Sequence, residues 1–504
     1  MKPKFFLICI LGLVGSRAFS GGTFTVEAYG YTGGTDPSAD IQAFDDALAA
    51  ARAAGGSVVL GCGSYPLEYT LYLQTGDVLL GQGSGETTIE FPVALTYHIT
   101  NGPNQSGYGN DEHIRLEGFT VECLFRENVK YKGLDLWGVD YPVVRDILVR
   151  NVSLDHAVLF RNCRYTRPGD LDDIRAENAN FSEDPDYDPP NPSPSRPVIH
   201  FSGCQYLQAS RLAVENARSS APGKDRDAIS CVLGEQVTLK GLRGEQINTL
   251  LDAGFNLNCV FEDFFGVDLD QFCVYSNNGN RGCVFRNGKF VDGEYGIVVR
   301  SAATGVNEVE AFNLFQGFEF WNIGQSGTAR PGIWVSHNSP SDPTRGPHDN
   351  RFLDIAFVDT NTTPGISQVI LEENYAVGKN TYRNCTVEAP SATTPVGNRV
   401  TGAVYGPNLQ GFEEKVGVLE VDFTNFNAIA WQSGVFTLPN VQKIVGFTLG
   451  LHTTATGDAV QHINVSARAV SQNTFRLVVA TTDNSYLSSK VTQALQLTYR
   501  VLCE

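Results

Sequence analysis

Two acidic residues near the middle of the chain have the type and the spacing of a glycosidase pair. Asp270 and Glu294 each precede a short apolar strand by three residues when the strands that begin at Cys273 and Ile297 are aligned. If such strands lie on adjacent turns of a repeating fold, the two carboxyl groups are ~5 Å apart at the backbone. That separation suits the nucleophile and the acid of a retaining glycosidase.

Two further carboxylates extend this set. Asp227 is two strands away from Asp270 in the same alignment, at roughly 9 to 10 Å, which leaves the room for water that an inverting glycosidase needs. Asp252 falls at an inward position, where an unpaired carboxylate is costly, so either the register shifts there or the carboxylate has a partner. A catalytic acid with a perturbed pKa is the functional alternative. Acidic residues also cap turns in solenoids. The spacing therefore leaves both stereochemical outcomes and a structural role open.

Candidate substrate-binding residues face outward from the same strands. Arg300 could bind a uronate carboxylate or act as the base of a β-elimination, and a surface ion pair is the alternative. Trp137 and Trp334 hold outward positions from which an indole stacks on a sugar ring. His200 also projects outward, although a lone histidine is more often structural.

The sequence predicts no cofactor. It contains no Cys-x-x-Cys pair that would indicate a zinc site. The segments DRD (225–227) and DLD (268–270) could ligate calcium if the chemistry is that of a lyase, but no EF-hand pattern surrounds them.

The net charge of the chain restricts the kinds of partner that we expect it to bind. The 504 residues carry a formal net charge of -18, and a surface of that sign repels nucleic acids and anionic membranes. A local basic groove would still admit an acidic polysaccharide. We therefore expect a polysaccharide or glycan partner, no nucleic acid and no membrane insertion.

The first 20 residues have the pattern of a secretory signal peptide. Lys2 and Lys4 precede an apolar run over residues 5–14, and small residues follow up to Ser20. We expect cleavage after Ser20 and a secreted protein, with an N-terminal core strand as the alternative. The run is too short to cross a bilayer, and no second stretch is long and apolar enough to do so.

The cysteines are open to two interpretations. Of the 11 cysteines, Cys9 is lost with the signal peptide, and the even number that remains permits disulfides in a secreted chain. However, NCVFEDFFG (258–266) returns 24 residues later as GCVFRNGKF (282–290), which puts Cys259 and Cys283 in one register. At least some cysteines are therefore expected to be stacked, buried thiols.

The duplicated phrase belongs to a longer repeat. Short apolar strands begin at residues 133, 157, 198, 228, 249, 272, 296 and 332, and their central steps are 21, 23 and 24 residues. A second series runs in phase with the first and alternates apolar and polar residues. One strand cannot bury its apolar face alone, whereas equivalent strands stacked every ~4.8 Å share one core. The repeat predicts a parallel β-helix over residues 96–395; the consensus leucines of the competing leucine-rich repeat are absent.

A helix precedes the repeat. SADIQAFDDALAAARAAGG (38–56) places Phe44 and Leu48 on one apolar face, with Ser38 as N-cap and a Gly-Gly stop. Such a helix closes the open end of a solenoid, where an exposed strand edge would invite pairing with another chain.

Residues 24–90, which contain this helix, the strand SVVLGCGSYPL and the turn LLGQGSGETTI, resemble the N-terminal segment of the pectate-lyase-like single-stranded right-handed β-helix superfamily. The repeat extends the likeness to about residue 390. The resemblance implies that residues 21–95 form the cap and first turns of a right-handed β-helix. It implies no single activity, because the superfamily includes lyases, hydrolases, epimerases and phage tailspikes.

The last part of the chain has a different pattern. Residues 396–414 read as a linker, and six short strand-like runs over 415–504 predict an antiparallel β-sandwich. Their spacing is similar to that of H-type lectin domains, which implies a trimer. The Trp-His pair of the lectin sugar pocket would fall at Thr482 and Asp483, so that pocket is not kept. A plain sandwich that only closes the β-helix is the alternative.

These observations predict an all-β, secreted protein that processes an extended polysaccharide, by hydrolysis before lyase chemistry. Carboxylates outnumber basic residues along the central strands, which favours hydrolysis. A non-catalytic fibre, adhesin or receptor-binding spike is the competing hypothesis. Convergent carboxylates and aromatic rings on the outward face would favour the enzyme, and a flat face of Thr, Ser and Asn would favour the spike.

Overall fold

A computed structural model gives the structure of the chain and describes most of it. The described residues are 21–93, 95–102, 107–123, 132–152, 155–179, 196–217, 227–301, 309–324, 330–337, 346–358, 366–372, 380–388, 404–405, 413–421, 430–432, 436–437, 444–452, 463–471, 474–481 and 495–503. The predicted signal peptide, residues 1–20, lies outside them.

Strands make up almost all of the regular structure. A 3₁₀ helix (Val26–Tyr29) and one α-helix, α1 (Pro37–Ala54), accompany them. The strands of the first half are β1 (Thr23–Phe24), β2 (Ser57–Val59), β3 (Gly63–Pro66), β4 (Leu71–Tyr72), β5 (Val78–Leu80), β6 (Thr87–Phe91), β7 (Tyr97–Thr100), β8 (Asp111–Glu112), β9 (Arg115–Cys123), β10 (Lys132–Trp137), β11 (Val139–Asp140), β12 (Val143–Arg150), β13 (Val158–Arg161), β14 (Leu171–Glu177), β15 (Ile199–Ser202), β16 (Gln208–Ala217), β17 (Asp227–Val232), β18 (Thr238–Ile247) and β19 (Thr249–Gly254). Those of the second half are β20 (Val260–Asn277), β21 (Val284–Ser301), β22 (Leu314–Trp321), β23 (Arg330–His337), β24 (Arg351–Val358), β25 (Ile366–Glu372), β26 (Thr381–Glu388), β27 (Val404–Tyr405), β28 (Glu413–Val421), β29 (Ala430–Gln432), β30 (Phe436–Thr437), β31 (Ile444–His452), β32 (Ile463–Ser471), β33 (Thr474–Thr481) and β34 (Leu495–Cys503).

Helix α1 is the predicted cap helix, but it begins two residues earlier than the sequence indicated. Asp36, rather than Ser38, is the N-cap, and its carboxylate accepts a hydrogen bond from the backbone N–H of Ala39 at 3.1 Å. Pro37 occupies the first turn, where its missing N–H costs nothing. The helix ends at Gly55, in the left-handed conformation with φ 62°. Its apolar face packs on β2 and β5.

The chain divides into two compact units, residues 1–252 and 253–504. In the first unit, the first predicted series of strands stacks in parallel, in the register that the sequence indicated. Leu134 of β10 pairs with Val158 of β13, which pairs with Ile199 of β15 and then with Ile229 of β17. These side chains are fully or almost fully buried. Each strand thus buries its apolar face against its neighbours, as in a right-handed parallel β-helix.

The second series of the first unit is also parallel and includes three strands that the sequence comparison did not align, β9, β14 and β18. One residue within each strand has a left-handed backbone conformation: Gly118 (φ 70°), Asp146 (φ 47°), Asp173 (φ 55°), Arg211 (φ 53°) and Gly241 (φ 67°). A single left-handed residue turns an extended chain sharply. Each of these strands therefore bends around a corner of the coil at the same place.

In the second unit, the repeated phrase forms adjacent turns of the coil. Val260, Phe261 and Glu262 pair with Val284, Phe285 and Arg286 in parallel. The rings of Phe261, Phe285, Phe315, Phe352 and Tyr382 form one buried stack with centroid separations of 4.9, 4.6, 4.9 and 4.9 Å. The prediction of two adjacent β-helix turns is confirmed, and Cys259 and Cys283 are buried free thiols.

The register of the first series differs by one residue in the second unit. The sequence aligned Cys273 with Ile297, whereas the structure pairs Val274 with Ile297. A bulge between Leu269 and Phe272 is the cause, because it inserts one extra residue into β20. Periodicity alone does not reveal such an insertion.

A ladder of asparagines fills a buried turn of the second unit. Each of five asparagines is hydrogen-bonded to a neighbouring turn of the coil, through its backbone or its side chain: Asn256, Asn280, Asn313, Asn350 and Asn380. Glu310 is fully buried among them. Its carboxylate accepts five hydrogen bonds of 2.7 to 3.1 Å, from Ser276, Gly279, Asn280 and Asn313.

The C-terminal strands are antiparallel, as the sequence predicted. One sheet has the order β28-β34-β31, and in the other β33 pairs with β29, β30 and β32. Within the predicted linker, β27 pairs in parallel with β26. The lectin pocket positions 482 and 483 lie outside the described residues, and the trimer remains a prediction.

Candidate functional site

The outward faces of the first-series strands carry the polar and aromatic residues that could do chemistry. Residues of these strands alternate between the core and the outside, because successive side chains of a strand point to opposite faces. In β10, for example, Leu134 and Leu136 are core residues, whereas Asp135 and Trp137 lie on the other face. Each unit presents one such face.

In the second unit, aromatic rings dominate this face. Phe272 stacks on Tyr275 at 4.8 Å and contacts Tyr295 at 5.1 Å between ring centroids. Tyr295 in turn stacks on Trp334 of β23 at 5.7 Å. All four rings are half-buried, so part of each faces solvent. We call this cluster, together with the charged residues described next, the aromatic platform.

Two arginines and a glutamate border the rings. The Arg300 guanidinium lies 5.4 Å from the Trp334 centroid, and its Nε donates a hydrogen bond to Ser336 Oγ at 3.3 Å. The Arg330 guanidinium lies 4.9 Å from the Tyr295 centroid, and its Nε donates to the Glu294 carboxylate at 2.7 Å. Burial raises the pKa of the Tyr295 phenol, while Arg330 opposes this shift.

The predicted carboxylate pair lies at the edge of the platform. Asp270 falls within the bulge of β20, and Glu294 lies on β21 between two residues that pair with the flanks of this bulge, Gly293 and Tyr295. Asp270 is exposed, whereas Glu294 is only 7% exposed and bound to Arg330. The two acids are therefore on neighbouring strands, as the sequence predicted, in unlike environments.

In the first unit, Trp137 lies in a cationic setting. The Arg161 guanidinium is 4.1 Å from the Trp137 ring centroid, because the two residues are register partners on β10 and β13. Lys132 Nζ is 5.8 Å from the same ring and 3.3 Å from the carboxylate of Asp135. Asp135 is fully buried, and burial raises its pKa to about 6, although Lys132 pulls it down.

His200 belongs to the same face but is not alone. Its ring stacks on that of His156 at 4.9 Å and 6°. Burial lowers the pKa of His156 to about 3 and that of His200 well below its usual range. Both imidazoles are thus neutral at physiological pH, and the strand register places His200 between Leu159 and Ser230.

The remaining predicted acids are both in the first unit. Asp227 opens β17, where its carbonyl accepts a hydrogen bond from the Val198 N–H at 2.9 Å. Asp252 is half-buried between two fully buried residues, Leu251 and Ala253. The catalytic role of both residues remains a prediction.

Sequence reasoning missed Asp135, Arg161, Tyr295 and Arg330. The first three lie within or next to strands that the repeat had already aligned, at outward or flanking positions. Their outward phase was therefore visible in the sequence, but the partners that make them conspicuous come from neighbouring turns.

Among the described residues, no group of three or more His, Cys, Asp and Glu could hold a metal ion. The only α-helix described is not long and apolar enough to cross a membrane.

Comparisons with known proteins return β-helix structures. No protein-family model matches the sequence, and no curated protein sequence matches it. The chain is similar to an exopolygalacturonase of family 28 from Yersinia enterocolitica, with 12% identity, a TM-score of 0.48, and coverage of 77% of this chain and 78% of that one. It is similar to a mannuronan C-5 epimerase module from Azotobacter vinelandii, with 14% identity, a TM-score of 0.43, and coverage of 77% and 100%. The tailspike of Pseudomonas phage phi297 gives 11% identity, a TM-score of 0.41, and coverage of 96% and 99%.

Proposed function

We propose that the protein is a secreted glycoside hydrolase that binds an extended polysaccharide along the outward face of its β-helix strands. The aromatic platform carries this proposal. Its stacked rings are half-exposed, two guanidiniums border them, and two carboxylates lie on neighbouring strands beside them. The competing hypothesis of a simple spacer predicts a flat face of Thr, Ser and Asn instead.

The chemistry of the platform suits sugar recognition. A pyranose ring offers C–H groups to the faces of Trp334 and Tyr295, and aromatic contacts of this kind combine apolar area with directional geometry. Arg300 and Arg330 offer N–H donors to ring hydroxyls or to a carboxylate. Asp270, which is exposed, can approach a glycosidic bond, while Glu294 is fixed in position by Arg330.

A polysaccharide lyase is the second candidate. Arg300 favours it, because a cation held beside Trp334 and Ser336 would neutralise a uronate carboxylate and stabilise an enolate-like state. Calcium would be the cofactor of that chemistry. A non-catalytic fibre, adhesin or spike would use the same platform only to bind.

The first experiment tests whether the aromatic platform binds a polysaccharide. Purified protein is titrated with a panel of neutral and uronic-acid polysaccharides, alongside Trp334→Ala and the matched control Trp321→Ala. Trp321 is also half-buried, but it lies on the second series, with its N–H directed at Glu319. We expect Trp334→Ala to weaken binding about tenfold or more and Trp321→Ala to leave it unchanged. Equal affinities of all three proteins would refute the platform.

The second experiment identifies the reaction. New reducing ends without a gain in absorbance near 235 nm indicate hydrolysis, and both signals together indicate a lyase. For a hydrolase, Asp270→Asn and Glu294→Gln should lower kcat by about a hundredfold or more while leaving binding in place. Binding without turnover on every polymer would favour the spike.

Secretion and trimer formation are part of the proposal. They rest on the N-terminal pattern over residues 1–20 and on the resemblance of residues 415–504 to trimer-forming lectin domains. Expression of the full chain should give an exported protein that begins at Gly21, and light scattering should give three times the mass of one chain. A retained N-terminus or a monomer would contradict the respective part.

A further inference from the structure

Arg161 differs from most arginines of the first unit in having no ion pair. Seven others have a carboxylate oxygen within 4 Å: Arg52, Arg115, Arg145, Arg150, Arg164, Arg175 and Arg211. Arg161 influences Asp135 at longer range but forms no ion pair within the described part of the chain. Its charge is half-buried, and a partly desolvated cation without an anion is costly unless something else compensates it.

The ring of Trp137 compensates only part of this cost. A guanidinium over an indole is attracted by the electrons of the ring, and the separation here is 4.1 Å. The indole N–H of Trp137 acts on the Asp135 carboxylate and lowers its pKa. Arg161 Nε, in contrast, is buried, and no acceptor among the described residues receives a hydrogen bond from it.

Neighbouring turns add further polar atoms without partners. His200 Nδ1 and Ser230 Oγ are buried and form no hydrogen bond within the described residues, and Asp135, in the same row, is paired with Lys132. Asp135, His200 and Ser230 lie in one row, because Asp135 and His200 both pair with Leu159 and His200 pairs with Ser230. Asp135 and Ser230 are fully buried.

We propose that Arg161, Trp137 and this row form a binding subsite for a sugar that carries an anionic group, a carboxylate or a sulfate ester. The anion would accept hydrogen bonds from the guanidinium of Arg161, which lies over the ring of Trp137. Hydroxyls of that sugar and of its neighbours along the polymer would donate to Asp135 and exchange hydrogen bonds with His200 and Ser230, because the row extends over four successive strands. We call these residues the Arg161 subsite.

Charge favours an anion over a neutral sugar at this place. Lys132 is neutralised by Asp135, with 3.3 Å between Nζ and the carboxylate, and both histidines are neutral. Arg161 is the cation that lies over Trp137; Arg196 and Asp155 also act on the two histidines, with opposite charges. A guanidinium binds carboxylate and sulfate oxygens through two parallel N–H groups, which gives geometric selectivity as well as energy.

The inference rests on the proposed function in one respect, that the chain binds glycans, but it concerns residues outside the aromatic platform. The competing explanation is a purely structural role, in which Arg161 only packs over the ring of Trp137. The two differ in what they require of the guanidinium. Packing over Trp137 requires only the flat apolar surface of the Arg161 side chain. A binding subsite also requires the positive charge of Arg161 and its two parallel N–H donors.

The experiment measures binding of the intact protein to polygalacturonate, dextran sulfate and dextran by calorimetry. The variants are Arg161→Gln, Arg161→Lys and the control Arg211→Gln, which makes the same charge change at an arginine of the same unit paired with Asp172. Trp334→Ala reports on the platform in parallel. Thermal unfolding of each variant separates loss of fold from loss of binding.

We expect Arg161→Gln to weaken binding of one anionic polymer at least about tenfold, Arg161→Lys to weaken it less, and Arg211→Gln to leave it unchanged. Preference for polygalacturonate identifies the carboxylate, and preference for dextran sulfate identifies the sulfate. Unchanged affinity in Arg161→Gln, or no binding of either anionic polymer by the unmodified protein, overturns the subsite. If Trp334→Ala alone weakens binding, the platform stands and the subsite fails; if Arg161→Gln alone does so, the reverse holds.

Discussion

Glu310 is a carboxyl group in the interior of the asparagine ladder, and its protonation is coupled to folding. Five donated hydrogen bonds favour the ionised form, but complete burial outweighs them and raises the pKa from 4.5 to about 7. Between these values the folded chain retains a proton that the unfolded chain releases. The stabilisation is therefore fully present below pH 4.5 and is lost as the pH rises through 7.

The unmodified protein should lose up to about 3 kcal/mol of unfolding free energy between pH 4.5 and pH 8, relative to Glu310→Gln. The amide keeps an acceptor for the Gly279 and Asn280 N–H groups and does not titrate. Denaturant unfolding of both proteins across this range measures the difference. A difference that grows in the opposite direction would mean that the hydrogen bonds keep Glu310 ionised.

The raised pKa of Asp135 leads to a prediction about the pH dependence of ligand binding. Its pKa of about 6 means that it carries a negative charge beside Arg161 at pH 8 and is largely neutral at pH 5. Lys132 and Arg161 are the other charged groups that act on it, and His156 and His200 stay neutral over this range. The Arg161 subsite should bind dextran sulfate about tenfold more tightly at pH 5 than at pH 8. Sulfate esters are charged at both values, so the ligand itself does not titrate.

Asp135→Asn is the control for this effect. The variant should bind with one affinity at both pH values, close to that of the unmodified protein at pH 5. A variant that keeps the full pH dependence would assign the titration to another group.

At the residue scale, the sequence indicated which side chains face outward but not which of them meet. Trp334 and Arg300 were predicted from strand phase, and the structure places them in contact. Arg161 lies in an aligned strand as well, but its partner Trp137 comes from the preceding turn of the coil, 24 residues earlier. Such contacts require the register between turns, which single-strand periodicity does not supply.

At the scale of elements, a buried aromatic ring recurs at the same position in successive turns of the coil. The repeated Phe of the two phrases recurs at Phe315 and Phe352, so one spot of the coil is aromatic in successive turns. The length of a turn was therefore readable from the sequence. The bulge before Phe272 was not, because an extra residue in one strand leaves the alternation on either side intact.

Phe285→Ala should destabilise the protein by about 3 to 5 kcal/mol, because it removes a fully buried ring and leaves a cavity between Phe261 and Phe315. Phe312→Ala is the matched control, since that ring is 64% exposed, and should cost less than about 0.5 kcal/mol. Equal losses in denaturant unfolding would argue against the stack as a source of stability.

At the scale of the whole molecule, two cationic and aromatic clusters occur on a strongly acidic chain. The net charge of -18 opposes the approach of any polyanion at low salt, whereas an arginine over an indole acts only at short range. The amino-acid composition therefore predicts that nucleic acids and anionic membranes are not partners. It does not predict the places on the surface where an anionic sugar could still bind.

The thiols described above have a consequence for how the protein can be made and labelled. Nine cysteines are free, eight of them buried and one, Cys62, exposed. Because none of these nine forms a bridge, the part of the fold that contains them needs no oxidant, and the chain should reach it in a reducing cytoplasm as well as after export. A thiol reagent should modify Cys62 rapidly in the folded protein, and Cys62→Ser should remove one equivalent of that rapid reaction. Cys62 is then a ready point of attachment for a fluorophore, far in sequence from both proposed glycan-binding clusters.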